Sequence, residues 1–253
     1  MAEHYELEPE APKPKLPGYV LVRGTAGEVA DAVANDLYLH AMNCVRQFGD
    51  FHMALPRGES AFTLYRTLLI DPAYRDMPWK RTHVWSVSGK EGDTSTEETI
   101  RDFLVQHGDI PSDQFHPMPM EARDADVRYT KALREHLGWR EKGHDRLDFV
   151  LLGVGPDSST ADYLPSAPII EDGDSLVTVN RSGAERTMSL TMRVINASRF
   201  VAVIATGEHK EPGIRLMSSA DANRSPLSKV SPVGGVLKWY LDESACPTNG
   251  DAA

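Results

Sequence analysis

The sequence predicts an α/β fold in which helices cover both faces of a mainly parallel sheet, a Rossmann-like three-layer sandwich. Short apolar segments alternate with longer segments whose apolar residues recur at helical spacing, as in successive βαβ units. The apolar segments carry few polar residues, which is typical of parallel strands covered on both faces. A chain of 253 residues can bury a full core of this kind.

The predicted elements follow one another in a regular order. The strands are YVLVRG, FHMAL, THVWSVS, LDFVLLGV and FVAVIAT, which start at residues 19, 51, 82, 147 and 200. The helices cover residues 26–49, 59–70, 95–108 and 124–138. The first helix ends at Gly49, because glycine readily adopts the left-handed conformation that closes a helix.

We expect one domain over residues 18–246. Residues 1–17 are rich in acids and prolines and are expected to form a disordered tail, and residues 247–253 form a second short tail. The opening residues, MAEHYELEPE, lack the apolar core of a signal peptide, and the apolar runs are shorter than the ~20 residues that span a bilayer. The expected location is therefore the cytoplasm, without membrane contact.

The charge and the metal-binding residue types argue against other classes of function. A net charge of −10 argues against nonspecific nucleic-acid binding, which depends on excess lysine and arginine. The two cysteines, Cys44 and Cys246, form no Cys-x-x-Cys pair, and the nine histidines show neither His-x-x-x-His nor His-Glu-x-x-His spacing. We expect no metal, no cofactor and no nucleic-acid partner, and a monomer or weak homo-oligomer.

Four loops are the expected ligand site. In open α/β sheets, ligands bind beyond the carboxyl ends of the strands. The loops that follow predicted strands at this edge cover residues 56–60, 88–93, 156–162 and 207–210. We expect these loops to converge and to line one cleft.

Four segments carry a resemblance to a known family. They are FHMALPRGESAFTLY (51–65), LLGVGPDSSTADYLP (151–165), VINASRFVAVIATGEHK (194–210) and SPVGGVLKWYLDESA (231–245). In this order they resemble the phosphate loop, the Gly-x-Gly-Pro-Asp-Gly-His-Thr signature, the Gly-x-x-Lys segment and the C-terminal ending of the 6-phosphogluconolactonase and glucosamine-6-phosphate isomerase family. The tryptophan-bearing ending favours the lactonase branch.

This resemblance implies a sugar-phosphate site. In the lactonase branch it implies hydrolysis of 6-phosphogluconolactone to 6-phosphogluconate, a step of the pentose phosphate pathway, without a cofactor. The candidate substrate-binding residues are Arg57, Gly58, Ser60, Lys90, Ser159, Thr160, Arg186 and Lys210.

The phosphate loop departs from the family pattern. A glycine-rich turn holds phosphate through backbone N–H groups and hydroxyls. Here Pro56 has no N–H group, and Glu59 brings a charge that repels phosphate. Arg57 is the candidate replacement, because a guanidinium can hold a phosphate through two hydrogen bonds. The alternative is that Arg57 is an ordinary surface arginine.

The carboxylate and arginine positions of the family also change. The Asp-Glu-Arg that the resemblance places after the third strand falls on Ser88, Gly89 and Lys90, so that only a positive charge is kept. A later arginine falls on Thr187, and Arg186, one residue earlier, is the candidate to replace it.

The signature histidine, the family's candidate general base, falls on Ser159. A serine hydroxyl does not titrate near neutral pH and cannot take this role. The candidate catalytic residues are therefore Asp157, which could act as a base if desolvated, and His209. The alternatives are that Asp157 caps a following helix and that His209 is an exposed loop residue.

Two classes of function follow. One is a divergent 6-phosphogluconolactonase with weakened activity. The other is a non-catalytic family member that serves as a sugar-phosphate-binding or protein-interaction module. The fold supports the first by association alone, whereas the substituted site residues favour the second.

Overall fold

A computed structural model describes residues 13–56, 60–138, 140–141, 143–169, 173–182 and 185–247. Within them, seven strands, numbered along the chain, form one parallel sheet in the spatial order β1-β10-β9-β6-β2-β3-β5. The strands are β1 (Tyr19–Arg23), β2 (Phe51–Leu55), β3 (Thr82–Ser86), β5 (Phe115–His116), β6 (Phe149–Gly153), β9 (Phe200–Ala205) and β10 (Val236–Asp242). The predicted α/β class and parallel sheet are confirmed.

Helices connect these strands. They are α1 (Ala26–Phe48), α2 (Ser60–Ile70), α3 (Ser95–Ile100), α4 (Ala125–Leu137), α5 (Met192–Ala197) and α6 (Glu211–Met217). Thr25 and Glu28 form a reciprocal capping box at the start of α1, and Gly49 closes this helix with a φ of 89°. The segment predicted as one helix over 95–108 changes at residue 101 into a π-helical stretch.

The alternation of side chains along the central strands divides the core into two layers. Val150 packs in one buried cluster with residues of α4 and α5, and the next residue, Leu151, packs in a second cluster with residues of α1 and α2. Val203 and Ile204 repeat this pattern in β9. Each such side chain stabilises the fold by about 1.5–3 kcal/mol when fully buried. Helices therefore cover both faces of the sheet, as predicted.

A second sheet, which the sequence pattern did not indicate, lies beyond the carboxyl end of β3. Its strands are β4 (Ser88–Lys90), β7 (Val177–Ser182) and β8 (Glu185–Leu190), which pair antiparallel in the order β4-β8-β7. The backbone N–H of Leu190 donates to the carbonyl of Val87 over 2.9 Å and so joins β8 to the chain leaving β3. This sheet positions one wall of the site described below.

Two contacts join the chain before β1 to the core. Leu16 packs against the core, and the indole N–H of Trp239 donates to the carbonyl of Pro17 over 2.7 Å. These contacts attach the last residues of the predicted tail to β10. Among the described residues, no helix is both long and apolar enough to cross a bilayer.

Candidate active site

A cleft of about 680 Å³ lies between the carboxyl edge of the parallel sheet and the antiparallel sheet. Residues from each of the four predicted loops line it, among them Pro56, Ser88, Lys90, Asp93, Ser159, Thr160, Ala161, Asp162 and Lys210. The structure therefore brings these loops together at the edge where α/β sheets bind ligands.

The loop after β6 is held in a fixed shape by internal hydrogen bonds. Ser158 is buried with a φ of 69°, a conformation that favours glycine, and its hydroxyl lies 2.6 Å from that of Ser225. The resemblance places a glycine at this position, and the buried hydroxyl pair stabilises the serine that replaces it. Thr160 is also buried, and its hydroxyl donates to the carbonyl of Gly153 over 2.8 Å. That contact fixes the loop.

Asp157 lies exposed in the same loop and does not cap a helix. Residues 158–165 form turns, and the Asp157 carboxylate accepts a hydrogen bond from the backbone N–H of Ser159 over 3.0 Å. Burial acts to raise the pKa of Asp157, but the hydrogen bonds from Ser159 and the charge of Lys210 outweigh it, so this pKa lies below its ordinary value. The carboxylate is therefore ionised at neutral pH.

Lys90 lines the cleft at the end of β4. Its ammonium forms an ion pair of 2.6 Å with Glu185, which lies on β8 and also lines the cleft. The Lys90 side chain is 34% exposed and that of Glu185 is 62% exposed, so the pair is weak and a bound anion can compete for the lysine.

The loop after β9 brings Lys210 to the cleft and leaves His209 outside its lining. The Asp242 carboxylate accepts from the backbone N–H of Gly207 over 2.9 Å and fixes the start of this loop. Lys210 is partly buried and lines the cleft, whereas His209 is exposed. Neither Asp157 nor His209 is among the described residues that line the cleft. Asp157 is hydrogen-bonded to the lining residue Ser159, and His209 directly precedes the lining residue Lys210.

Arg186 and Thr187 point to opposite faces of the antiparallel sheet. Thr187 lines the cleft, as does Asn180, its partner on β7. Arg186 is buried, and its guanidinium donates to the carbonyls of Met120 and Ala122 over 2.9 and 3.1 Å. Successive residues of a strand point to alternate faces of the sheet. Arg186 therefore does not reach the cleft, whereas a side chain at position 187 does.

Some predicted site residues lie outside the described residues, and some cleft residues were missed. Arg57 and Gly58 lie outside the described residues, as does the side chain of Ser60, whose backbone begins α2. The cleft also includes Tyr163, Asn180, Arg181, Glu185 and Thr187. Of the β7–β8 residues, the resemblance pointed only to position 187 and to Arg186 beside it, because the antiparallel sheet itself was not predicted.

Similarity to known proteins agrees with this architecture. The family described as glucosamine-6-phosphate isomerases/6-phosphogluconolactonase matches residues 24–239. The chain is 33% identical over 242 residues to the human GDH/6PGL endoplasmic bifunctional protein. The match covers 89% of this chain but only 30% of that protein. It is 30% identical over 212 residues to the 6-phosphogluconolactonase of Synechocystis sp., covering 79% of this chain and 85% of that enzyme.

The fold is also that of solved lactonases. The 6-phosphogluconolactonase of Thermotoga maritima superposes with a TM-score of 0.73 at 20% identity, over 88% of this chain and 99% of that one. Because the family match spans most of the chain, and because loops of three signature segments meet in one cleft, the chain belongs to the glucosamine-6-phosphate isomerase and 6-phosphogluconolactonase family.

Proposed function

We propose that the cleft binds a sugar phosphate of the 6-phosphogluconate type and that the protein hydrolyses 6-phosphogluconolactone slowly. One observation carries this proposal: the cleft contains two lysines, but a serine stands in place of the signature histidine. Lys90 and Lys210 come from different loops and line the same cleft as Ser159.

The two lysines supply the attraction for a phosphate. Lys210 matches the lysine of the family's Gly-x-x-Lys segment, and Lys90 takes the position of the arginine in the family's Asp-Glu-Arg. Two ammonium groups on one cleft favour a dianionic ligand, and each hydrogen bond to a charged group is worth about 1.5–3 kcal/mol. Ser88 adds a hydroxyl beside them on β4.

Slow hydrolysis follows from the missing base. Opening the lactone requires water to add to the ring carbonyl, with loss of a proton from water and gain of a proton by the ring oxygen. Ser159 cannot take the proton. Asp157 is ionised and could do so, but a lowered pKa makes a carboxylate a poorer base.

The second candidate function is binding without turnover. It is favoured by the absence of a titrating group at Ser88, Gly89 and Ser159, the positions where the resemblance has carboxylates and histidine. The domain limits of 18–246, the cytoplasmic location and the oligomeric state stay predictions from the sequence.

Calorimetry with 6-phosphogluconate, followed by a hydrolysis assay, tests both candidates. Heat of binding together with slow turnover supports the first function, and heat without turnover above the spontaneous rate supports the second. No heat at millimolar ligand contradicts both and favours a protein-interaction role for this fold.

A further inference from the structure

A histidine cluster lies on a part of the sheet that does not line the cleft. His83 is the second residue of β3, His116 ends β5, and His136 lies in the last turn of α4. Ser88, the first residue after β3 that lines the cleft, is five residues beyond His83, roughly 16 Å along an extended chain. The cluster is therefore separate from the proposed sugar-phosphate site.

The three imidazoles converge within the reach of one metal ion. Each offers one ring nitrogen, and the three nitrogens lie within 4.8 Å of one another. His83 Nδ1 and His116 Nε2 are 3.0 Å apart, and the His116 and His136 ring centroids are 4.4 Å apart. Two nitrogens on a tetrahedral zinc with Zn–N bonds of about 2.0–2.1 Å lie ~3.4 Å apart, so the His83 and His116 rings must separate slightly and turn until both lone pairs face one ion.

The ring of His136 is oriented by a backbone contact. Its Nδ1 lies 2.9 Å from the carbonyl oxygen of Ala132, which can only accept, so Nδ1 carries the proton. In the neutral ring, Nε2 then keeps its lone pair for a ligand bond. A hydrogen bond from the second ring nitrogen to a carbonyl is the usual support of a metal-binding histidine.

The other two rings are neutral at physiological pH. Burial, reinforced by the neighbouring His52, lowers the pKa of His83 to about 4. Burial, reinforced by His136 and His83, lowers the pKa of His116 to about 3. In the hydrogen bond between His83 Nδ1 and His116 Nε2, one nitrogen carries the proton of its neutral ring, and this proton moves to the other nitrogen of that ring when a cation binds. All three histidines are partly exposed, which gives an ion access to the cluster.

His52 stacks on His83 but is not a ligand. The indole N–H of Trp85 donates to His52 Nδ1 over 3.1 Å, and His52 Nε2 lies 3.2 Å from the Asp50 carboxylate. Both ring nitrogens are thus engaged. Asp50 is itself paired with the buried guanidinium of Arg140. A metal site formed by Asp50, His52 and His83 is therefore excluded, because two of its three groups already have partners.

We propose that His83, His116 and His136 bind one divalent transition cation of the zinc class, with solvent in the remaining coordination position. Three imidazoles suit Zn²⁺, Cu²⁺ or Ni²⁺ and not Mg²⁺ or Ca²⁺, which prefer oxygen ligands. Because β3, β5 and α4 each supply one ligand, the ion ties the edge strand of the sheet to the helix that covers it.

Packing alone is the competing account of the cluster. The ring of His116 stacks on Trp85 with a centroid distance of 3.9 Å and an interplanar angle of 16°. The nearly coplanar ring of His83 lies edge to edge with that of His116 across their 3.0 Å hydrogen bond. Neutral imidazoles pack well in this way without an ion. The two accounts differ in whether zinc binds with defined stoichiometry and in which residues it needs.

Zinc binding to the untagged full chain tests the proposal, with a chromophoric zinc chelator as competitor and Mg²⁺ present in excess. We expect one Zn²⁺ per chain and a rise in the melting temperature on addition of zinc. His136→Gln, partly exposed at a helix end, should weaken binding more than tenfold, and His116→Gln should do the same. His107→Gln, an exposed histidine on another segment, is the matched control and should bind as the parent does.

Two results would overturn the proposal. One is the absence of stoichiometric zinc binding at micromolar concentrations. The other is binding that His136→Gln and His107→Gln leave equally intact, which would indicate adventitious histidine contacts. Circular dichroism of each variant shows that it is folded, and if His116→Gln fails to fold, His136→Gln alone decides.

Discussion

On the proposed function, Lys210 is the residue on which phosphate binding depends most directly. It lines the cleft and acts on the neighbouring carboxylate of Asp157 through its charge. Pro56 lacks a backbone N–H, so under this proposal the lysines of the cleft supply more of the attraction for a phosphate. The role of single residues can therefore be separated by substitutions that remove one charge each.

Lys210→Ala should weaken the binding of 6-phosphogluconate by roughly 1.5–3 kcal/mol, the range for a charged hydrogen bond. Calorimetry measures the change. Lys131→Ala, which removes an exposed lysine from α4, is the matched control and should leave the affinity unchanged. Equal affinity of Lys210→Ala and the parent would show that Lys210 does not contact the ligand.

Arg186→Ala should lower stability and leave ligand affinity nearly unchanged. The guanidinium satisfies the carbonyls of Met120 and Ala122, and leaving buried acceptors unpaired costs about 1–3 kcal/mol each. Urea unfolding and calorimetry on the same variant test the two halves of this prediction. A loss of affinity without a loss of stability would instead place Arg186 at the ligand.

The pH dependence of hydrolysis separates the two candidate bases. A base works in its deprotonated form, and the pKa of Asp157 lies below its ordinary value of about 3.9. If Asp157 is the base, kcat/KM should stay flat from pH 8 down to pH 5 and fall only in the acid range. A fall that begins already in the neutral range would show that Asp157 is not the base.

At the scale of elements, the site depends on the close approach of α6 to the loop after β6. A Cβ at Gly213 would overlap the carbonyl oxygen of Gly155 and lie 3.0 Å from the backbone nitrogen of Ser158. Only glycine allows the helix and the loop to pack at this distance. The shape of the cleft therefore depends on a residue that does not line it.

Gly213→Ala should destabilise the protein by about 1–3 kcal/mol, the usual cost of overpacking, and weaken ligand binding by displacing the loop. Gly27→Ala, in the first turn of α1, is the matched control, because the nearest atom to its new Cβ is 3.9 Å away. That variant should be neutral or slightly more stable. Thermal melts of both variants decide, and equal melting temperatures would contradict the account.

Sequence patterns predicted five strands of the parallel sheet from their apolar runs and missed β5 and β10. The strands β2 and β9 are buried at every position, and their apolar runs are visible in the sequence. The β7–β8 pair was missed because its polar residues alternate with few apolar ones, and β4 because it follows β3 after a single residue. Since the face on which Arg186 lies depends on that missed pairing, the sequence could not decide between Arg186 and Thr187.

At the scale of the whole molecule, the sequence also predicted poorly which residues far apart along the chain meet in the fold. The sequence predicted which loops meet at the sheet edge, because the rule depends only on strand direction. It gave no indication of the histidine cluster, since residues 83, 116 and 136 have no metal-binding spacing and meet only after β5 and α4 pack beside β3. Local spacing detects metal sites within one element and misses those assembled from several.

For the whole molecule, the central claim is that the family fold and the cleft lysines Lys90 and Lys210 remain while the general base is gone. The most direct test is the rate of 6-phosphogluconolactone hydrolysis at neutral pH, with the spontaneous rate subtracted, beside an ordinary 6-phosphogluconolactonase. We predict a rate about 10²–10⁴-fold lower, the usual worth of a positioned acid–base group. A rate equal to that of the ordinary enzyme would contradict the claim and mean that Asp157 or His209 has taken over the missing role.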